Sequence, residues 1–400
     1  MAAVKVTDSI YSVGILNPIM RIFDVVMRTD YGTTYNSYVV KGESKVALIE
    51  TCHKTYFEQY CQNISEAVSP EDIDYIILNH CEPDHSGALA ELLRVCTKAE
   101  IYVSRAGAIY LKNITNRQDL KIHAVKDGET LDLGGRELKF ISAPFLHWPD
   151  SMFTWDEQSK TLFSCDMFGS HYCEPHTFDY NIVYPEKYQY ALKGYYDAIF
   201  GPFKPYVLQG MEKIAELEIE RICTSHGPIL TKGCMMQNVM EQYRSWSQPA
   251  KKEKKSVPVF YCSAYGNTGK LAQAIAEGVR EALPEADCQV YDVNDYDMGM
   301  LQGLLNASDA FAIGSPTINQ DAVAPIWNLL SHVDAIGNKK RPALVFGSYG
   351  WSGEAVPNIS ARLTGLKSSV FGEGMKVTFV PSKEDLEKAK ELGKAFAESL

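Results

Sequence analysis

Two patterns of apolar and polar positions divide the chain. Residues 256–400 repeat a short apolar run followed by an amphipathic stretch, whereas residues 1–247 contain more numerous short apolar runs. The repeating pattern predicts that strands and helices alternate in the C-terminal part. The apolar runs lie at 257–262, 288–292, 309–313, 342–346 and 375–380. The amphipathic stretches lie at 268–282, 323–333, 354–366 and 383–399.

Strands that alternate with helices form a parallel sheet covered on both faces, so the C-terminal part is predicted to be a doubly wound α/β domain. The N-terminal part also mixes the two types of element. Its clearest strands are predicted at 37–40, 46–49 and 75–78, and its clearest helices at 55–66 and 86–94. A layered α/β fold is therefore expected there, although periodicity alone does not select one such fold.

A polar segment separates the two parts. Residues 247–256 are rich in lysine and contain Pro249, which opposes the continuation of a helix. A chain of 400 residues is also longer than a single hydrophobic core usually supports. We therefore predict two domains, covering residues 1–250 and 256–400.

Charge and cysteine usage narrow the functional class. The formal net charge of −11 argues against a general nucleic-acid or anionic-membrane binder. The N-terminal residues lack the apolar run of a signal peptide, and no stretch reaches the roughly 18–20 apolar residues of a membrane helix. The ten cysteines include no Cys-x-x-Cys pair, which argues against a zinc ribbon. A cytoplasmic protein with reduced thiols is expected.

The densest candidate chemistry follows the predicted strand at 75–78. His80, Glu82, Asp84 and His85 lie within six residues, in a chain that has only nine histidines. They stand where a buried strand ends and a helix is expected to begin, which directs side chains into a cleft. Pro83 stiffens the loop and so lowers the entropy lost when the ligands are held in place. A polar loop with accidental clustering is the competing interpretation.

Three further polar residues each follow an apolar run and precede a turn. They are His147 in His-Trp-Pro-Asp, Asp166 after the run 161–165, and His226 in Thr-Ser-His-Gly-Pro. Each alone is only a polar residue at a strand end. Taken with the first four, they are typical of ligands gathered on one rim of a fold.

The order His-x-Glu-x-Asp-His, then His, Asp and His, resembles the metallo-β-lactamase superfamily, and Glu82 resembles its flavodiiron branch. The resemblance implies an αββα sandwich that binds two irons. His80, Glu82 and His147 would bind one iron, Asp84, His85 and His226 the other, and Asp166 would bridge them. In some members of the family the histidine equivalent to His85 points away from the metal, so its ligation is open.

The chemistry of these residues agrees with iron. Carboxylates and imidazoles without a thiolate form a hard donor set suited to iron or manganese, and zinc accepts the same ligands. Two metals held by one carboxylate can act on the same small molecule. If both are Fe(II), each can supply one electron at once, which suits O₂ or NO better than hydrolysis. Cys81 alternates with the ligands and is predicted to pack in the core. His171, Tyr172 and Tyr195 are candidates for residues close behind the metals.

The second domain opens with a strand, a small polar loop and a helix. Such a loop can bind phosphate through backbone N–H groups at the helix N-terminus. A P-loop is excluded, because Gly266 and Gly269 are too close and Leu271 follows the lysine. A capped helix without a ligand is the competing interpretation. The predicted phosphate-binding residues are Ser263, Ala264, Tyr265, Gly266, Asn267 and Thr268.

Two later loops, at 314–319 and 347–353, follow the third and fourth strands of this domain. In a doubly wound sheet they lie beside the first loop at the carboxyl edge, where ligands bind. The three loops resemble those of flavodoxins, which implies FMN as the ligand. The predicted contacts to the flavin ring are Ser315, Pro316, Thr317, Asn319, Ser348, Tyr349, Gly350, Trp351 and Gly353.

Together the two resemblances imply a flavodiiron oxidoreductase of the minimal, two-domain class. It would pass electrons from an external donor, such as rubredoxin or reduced coenzyme F420, through FMN to a diiron site that reduces O₂, NO or both. The family implies a head-to-tail homodimer or a tetramer. Two alternatives stay open: a zinc hydrolase fused to a flavodoxin-like domain, and an electron carrier with an inactive first domain.

Overall fold

The computed structural model describes residues 3–25, 27–249, 254–337 and 340–400. The chain divides into two compact units, residues 1–249 and 250–400. Residues 250–253 of the predicted linker lie outside the described residues. None of the helices that the structure describes combines the length and apolar character needed to cross a membrane.

The first unit is built on two sheets. The strands of the first sheet are, in spatial order, Val4–Lys5, Ile10–Ser12, Tyr38–Lys41, Val46–Ile49, Tyr75–Leu78, Glu100–Val103 and Ile122–Ala124. The strands of the second are Thr130–Asp132, Glu137–Ser142, Met152–Asp156, Thr161–Cys165, Arg221–Thr224 and Leu230–Thr231. Two short ribbons pair Ile15–Asn17 with Thr33–Tyr35 and Ile22–Phe23 with Met27–Arg28.

Helices cover the outer faces of these sheets. The α-helices of the first unit are Phe57–Ala67, Pro83–Ser86, Leu89–Leu92, Arg105–Ile114, Pro185–Tyr195, Lys204–Lys213 and Met236–Ser247. A π-helix, Tyr196–Phe200, follows Tyr195, and 3-10 turns lie at Lys54–Tyr56, Pro70–Asp72, Asp179–Asn181 and Gly201–Phe203.

Three hydrophobic cores define the layers of the first unit. One core lies between the two sheets and includes Tyr38, Phe140 and Phe163. The other two pack the outer sheet faces against helices, for example through Tyr60 and Tyr243. Thr161–Cys165 is buried at every position, because one face of its sheet packs on the other sheet and the opposite face packs on helices. A strand buried on both faces does not alternate between apolar and polar residues. The predicted αββα sandwich is confirmed.

The helical segment predicted at 86–94 is present only in part, as the helix Leu89–Leu92. The chain instead forms two single turns, Pro83–Ser86 and Leu89–Leu92. Between the two turns, the Ala88 N–H donates to the carbonyl of Cys52, which follows the neighbouring strand Val46–Ile49, at 2.9 Å. This hydrogen bond replaces one that would continue the helix. Gly87, at the break, also has low helix propensity.

The second unit is a mostly parallel sheet. Its order is Val290–Asp292, Val259–Tyr261, Phe311–Ile318 and Pro342–Tyr349, followed by both Ser369–Val370 and Met375–Thr378. A short antiparallel strand, Asp321–Ala322, returns along the end of Phe311–Ile318. The helices are Asn267–Ala282, Met298–Ala307, Ala324–Ser331, Ala355–Gly365 and Lys383–Glu398.

One core lies on each face of this sheet, as a doubly wound fold requires. The predicted flavodoxin-like sheet is confirmed. The helix Met298–Ala307 is additional to the predictions. It begins at Asp297, whose side chain accepts a hydrogen bond from the Met300 N–H, and the glycines at 299 and 303 weaken its sequence pattern.

Candidate functional site

The seven predicted ligands of the first unit lie together, and we call them the ligand cluster. They come from both sheets, because four of them follow the strand Tyr75–Leu78 of the first sheet and the others follow or join strands of the second. The members are His80, Glu82, Asp84, His85, His147, Asp166 and His226. Strand ends from two packed sheets therefore converge on one buried point.

The first half of the cluster is organised around Glu82. Its Oε2 atom lies 3.1 Å from Nε2 of His80 and 3.1 Å from Nε2 of His147. Oδ2 of Asp166 lies 3.9 Å and 3.7 Å from the same two nitrogens. His80, His147 and Asp166 can each direct one donor atom to a common position, since these atoms lie within 4.8 Å of one another.

The second half has the same form. Oδ2 of Asp84 lies 3.0 Å from Nε2 of His226 and 3.4 Å from Nε2 of His85. Oδ1 of Asp166 lies 3.2 Å from His85 Nε2 and 3.4 Å from His226 Nε2. Asp84, His85 and His226 form a second group whose donor atoms lie within 4.8 Å of one another.

Asp166 stands between the halves and directs one oxygen to each. Oδ2 of Asp166 and Oδ1 of Asp84 are buried and accept no hydrogen bond from the described residues. Buried carboxylate oxygens without a donor are unfavourable unless a cation compensates them. The donor set is oxygen and imidazole nitrogen, which suits iron, manganese or zinc. The residues therefore fit a pair of metal ions.

Charge within the cluster is strongly coupled. Burial lowers the pKa of His80, but hydrogen bonds to Asp150 and Glu82 outweigh it and raise that pKa to about 10. Burial raises the pKa of Glu82, but hydrogen bonds from His147 and His80 bring it far below its usual range. Burial raises the pKa of Asp166, but His85, His226 and His80 outweigh it and hold that pKa well below its ordinary value. A metal cation would displace the protons that these groups share.

Three of the imidazoles have an acceptor behind them that the sequence did not reveal. His80 Nδ1 lies 3.2 Å from both oxygens of Asp150, which also accepts the Cys81 N–H at 2.7 Å. His226 Nδ1 lies 2.6 Å from the Thr34 carbonyl. His85 Nδ1 lies 3.6 Å from Glu50 Oε2. Such partners fix the direction of the metal-facing nitrogen.

Asp24 is a further residue that sequence reasoning missed. It lies in the turn of the ribbon Ile22–Phe23 and Met27–Arg28, with φ of 45°. Burial, followed by a hydrogen bond and charge repulsion from Glu82, raises the pKa of Asp24 to about 6. No turn signature marked this position in the sequence, and only the fold brings it to the cluster.

Of the three further candidates, His171 and Tyr195 lie against the ligand cluster, and Tyr172 does not. Tyr195 donates its hydroxyl to Asp166 Oδ1 at 3.1 Å, and burial raises the pKa of this hydroxyl well above its usual value. The ring centroid of His171 lies 5.1 Å from that of His226. Tyr172 instead bonds Glu174 and the Tyr184 carbonyl, so its hydroxyl does not face the ligands.

A cavity of about 150 Å³ opens beside His171 and Tyr195. It is lined by these two residues and Thr29, together with residues around Tyr31 and Tyr190.

Cys81 packs in the hydrophobic core between the first sheet and its helices, as predicted.

The first loop of the second unit has the form expected of a phosphate site. Gly266 has φ of 77° and precedes the helix Asn267–Ala282. Residues 264–266 are exposed, including the Tyr265 side chain at 91%. The Ser263 hydroxyl oxygen is buried and has no hydrogen-bond partner among the described residues. An unpaired hydroxyl beside a helix N-terminus fits a phosphate group.

The three predicted loops meet at one edge of the sheet. The hydroxyls of Thr268 and Ser348 lie 2.8 Å apart and join the first loop to the third. Thr317 Oγ1 accepts the Ala355 N–H at 3.3 Å and so joins the second loop to the helix after the third. The predicted adjacency therefore holds within this unit.

Two predicted flavin contacts are turned inward. Ser315 is fully buried, and its hydroxyl donates to the Pro316 carbonyl and accepts the Val323 N–H. Pro316 is also buried. The Ser315 side chain therefore shapes the loop, and any contact of this residue with the flavin would be made by its backbone. Asn319 is exposed in a tight turn, where it and Gln320 have positive φ.

Aromatic side chains surround the third loop. Trp351 is 96% exposed, and Tyr349 is half-buried. Phe379, which the sequence did not single out, is 62% exposed and follows the strand Met375–Thr378. Its N–H donates to the Tyr349 carbonyl at 2.7 Å. Large exposed aromatics grouped at a loop edge fit a flat ring ligand.

Comparison with known proteins gives two family matches. Residues 33–227 match the family described as ODP family beta lactamase, and residues 259–393 match the family described as flavodoxin. Both matches fall inside the units seen in the fold.

Whole-chain relatives carry both regions. The flavo-diiron protein FprA2 of Clostridium acetobutylicum is 50% identical over 401 residues, and the alignment covers 100% of each protein. The anaerobic nitric oxide reductase flavorubredoxin of Vibrio vulnificus is 32% identical, covering 92% of this chain and 73% of that protein. The structure of rubredoxin oxygen:oxidoreductase from Desulfovibrio gigas is 29% identical, with a TM-score of 0.73, covering 99% of this chain and 98% of that one.

Proposed function

Since the chain belongs to the flavodiiron protein family, we propose that it moves electrons from an external donor through FMN to a diiron site. The site reduces O₂ to water, with four electrons and four protons, or NO to N₂O and water, with one electron and one proton per NO. Names of relatives include both an oxygen oxidoreductase and a nitric oxide reductase, so both substrates belong to the proposal.

The observation that carries the proposal is the two-sided carboxylate of Asp166. One oxygen faces His80 and His147, and the other faces His85 and His226. A carboxylate in this arrangement can bridge two cations, whereas a single-metal site needs no such symmetry.

The first iron is assigned to His80, Glu82 and His147, and the second to Asp84, His85 and His226. These assignments follow the two halves of the ligand cluster. Two bound irons would supply electrons and a binding position for a diatomic substrate.

Other side chains serve the reaction without holding metal. Tyr195 donates to Asp166 Oδ1 and so steadies the bridging carboxylate. Asp150 and the Thr34 carbonyl orient His80 and His226. Phe23 packs against His226 on one side of the cluster, with ring centroids 5.6 Å apart.

FMN is assigned to the three loops of the second unit. Residues 263–268 at the start of the helix would hold the phosphate, and Thr317, Asn319 and 348–353 would contact the ring. Phe379 joins Tyr349 and Trp351 as an aromatic side chain available to the ring.

The proposed electron donor is of the rubredoxin or reduced coenzyme F420 type. A head-to-tail homodimer would bring the FMN of one chain to the irons of its partner. Sedimentation of the holoprotein, together with electron transfer between metal-deficient and flavin-deficient chains in a mixture, tests that part of the proposal.

The deciding experiment is the metal and flavin content of anaerobically purified protein, followed by O₂ and NO consumption with a chemically reduced donor. We expect about two irons and about one FMN per chain, with turnover lost when either is removed. Zinc in the site, with no reductase activity after reconstitution with iron, would instead favour a hydrolase. FMN bound to a chain that retains no metal would favour an electron carrier.

A further inference from the structure

Glu50 is a buried carboxylate that neither the sequence nor the family match assigns a role. It follows the strand Val46–Ile49, its residue is 1% exposed, and its φ is 59°. A left-handed backbone is unfavourable for a residue with a Cβ, and such strain persists only where the surrounding structure enforces it.

The backbone of Glu50 is held by several hydrogen bonds. Its N–H donates to the Ile77 carbonyl at 2.8 Å. Its own carbonyl accepts the hydroxyls of Ser37 at 2.9 Å and Tyr60 at 3.2 Å. These bonds come from the neighbouring strand, from Ser37 just before the strand Tyr38–Lys41, and from the helix Phe57–Ala67, so the left-handed conformation is fixed by the fold.

This conformation divides the two carboxylate oxygens between two tasks. Oε1 accepts the Asn79 N–H at 2.9 Å. Oε2 is buried and has no hydrogen-bond partner among the described residues. It points to Nδ1 of His85, at 3.6 Å.

His85 is held from the same segment of chain. Its carbonyl accepts both the N–H of Thr51, at 2.9 Å, and the Thr51 hydroxyl. Residues 50 and 51 therefore fix the backbone of His85 and face the rear of its ring. On the opposite side of the ring, Nε2 lies 3.2 Å from Asp166 and 3.4 Å from Asp84.

The geometry points to Glu50 as the positioning residue that keeps His85 Nε2 directed to the second metal. Glu50 contacts neither metal nor substrate, and acts through the His85 ring. Asp150 has the matching position behind His80 in the first half of the cluster. A histidine whose Nδ1 faces an acceptor keeps its other nitrogen aimed at the metal. This inference rests on the proposed diiron site, and it predicts that His85 is a ligand in this chain.

The rear of His85 also offers an alternative. Glu50, His85 and Cys165 have donor atoms within 4.8 Å of one another, and all three are buried. A cation held there would bind the nitrogen that Glu50 is inferred to orient. Binding of a third metal per chain by the wild-type protein would therefore overturn the positioning role.

The substitution Glu50→Gln tests the inference with the least disturbance. The amide oxygen can still accept the Asn79 N–H, and the amide nitrogen then faces His85 in place of the carboxylate oxygen. Asp179→Asn is the matched control, because Asp179 is a buried carboxylate of the same unit that binds Thr231 and lies outside the ligand cluster.

The measurement is anaerobic titration of metal-stripped protein with Fe(II), read as stepwise dissociation constants, with Mössbauer spectra of the loaded protein. For Glu50→Gln we expect the second iron to bind roughly 10–100-fold more weakly, with one of two Mössbauer doublets changed. The first iron should bind within about twofold of wild type, as both should in Asp179→Asn. Unchanged binding and spectra in Glu50→Gln would overturn the inference.

A second set of variants separates positioning from general destabilisation. In a His85→Ala background, adding Glu50→Gln should change the second dissociation constant by less than about twofold, because Glu50 acts only through the missing ring. A further large loss in the double variant would show a structural role and overturn the inference. A wild-type chain that binds no iron would instead reject the diiron assignment itself.

Discussion

The ligand cluster of the first unit and the flavin loops of the second are built from opposite materials. The cluster uses buried ionisable side chains, each facing another group of opposite charge. The flavin loops, residues 263–268, 314–319 and 347–353, present backbone groups, hydroxyls and exposed aromatic side chains at the edge of a sheet. In the first site the side chains carry the chemistry, and in the second the backbone shape does.

This difference decides what each site tolerates. Removing one buried charge leaves its partners uncompensated, and that is strongly unfavourable. Loops at a sheet edge distribute binding over several weak contacts, so that each single change there has a smaller effect. Three substitutions test the contrast, and a fourth, outside both sites, gives the scale of an ordinary change in stability.

Asp166→Ala should have the largest effect. Both halves of the cluster lose an oxygen at once, and we expect the reductase activity and the affinity for both metals to fall by at least about 100-fold. FMN content should not change, because no flavin-loop residue is altered. Metal analysis, flavin absorbance and O₂ or NO consumption measure this. A variant that retains two metals would contradict the bridging role.

Asp150→Asn should have an intermediate effect. It removes the carboxylate behind His80 but leaves all seven ligands in place. We expect the first metal to bind roughly 10–100-fold more weakly, with the second much less affected. Stepwise metal titration distinguishes the two positions. Equal weakening of both would mean that the halves do not act separately.

Gly266→Val should weaken FMN binding by about tenfold while metal content stays at the wild-type level. Gly266 has φ of 77°, which costs a β-branched residue about 1–2 kcal/mol, and a Cβ there meets no atom within 4 Å. The effect is therefore one of backbone shape alone. Flavin titration measures it. The control is Gly365→Ala, at the last residue of the helix Ala355–Gly365, where a Cβ also meets no atom within 4 Å. Wild-type affinity would contradict the phosphate assignment.

Asp74→Asn should have the smallest effect, on stability alone. Burial raises the pKa of Asp74, but the Val46 N–H and the ammonium groups of Lys45 and Lys98 outweigh it, so the pKa lies below its ordinary value. A lowered folded-state pKa stabilises the fold above the unfolded-state pKa of about 3.9, and that stability is lost as pH falls through the folded value.

At pH 7 we therefore expect Asp74→Asn to lower the free energy of unfolding by about 1–2 kcal/mol, since both lysines are half exposed and screened. The difference from wild type should shrink below about pH 4. Urea unfolding at several pH values measures it, with the exposed Asp72→Asn as the control. A difference that grows on acidification would contradict this account.

The sequence predicted which residues of each candidate site lie together. The candidate ligands follow strand ends, and strand ends can be read from apolar runs. His147, Asp166 and His226 could therefore be grouped although they are far apart in the chain. Glu50 also follows a strand, but its role depends on a residue 35 positions later, and no local pattern encodes that contact.

At two other places, contacts between distant parts of the chain override the structure that the local sequence favours. The residues after His85 look helical, yet hydrogen bonds to 51 and 52 interrupt the helix. Ser315 resembles a flavin contact by its place in the loop, but the direction of its hydroxyl depends on the N–H of Val323, the residue before the next helix. Such directions are set by packing, so residue type and spacing do not determine them.

The descent of the ligands from both sheets gives the metals a mechanical meaning. A bound pair of metal ions would link the two sheets of the sandwich, because its ligands follow the strand Tyr75–Leu78 of the first sheet and the strand Thr161–Cys165 of the second. The metal ions can bind with all their ligands only after the two sheets have packed together. In a newly made chain that lacks metal, we expect the two sheets to separate before either sheet unfolds. We therefore expect the survival time of the chain against proteases to record how much metal was available when it was made.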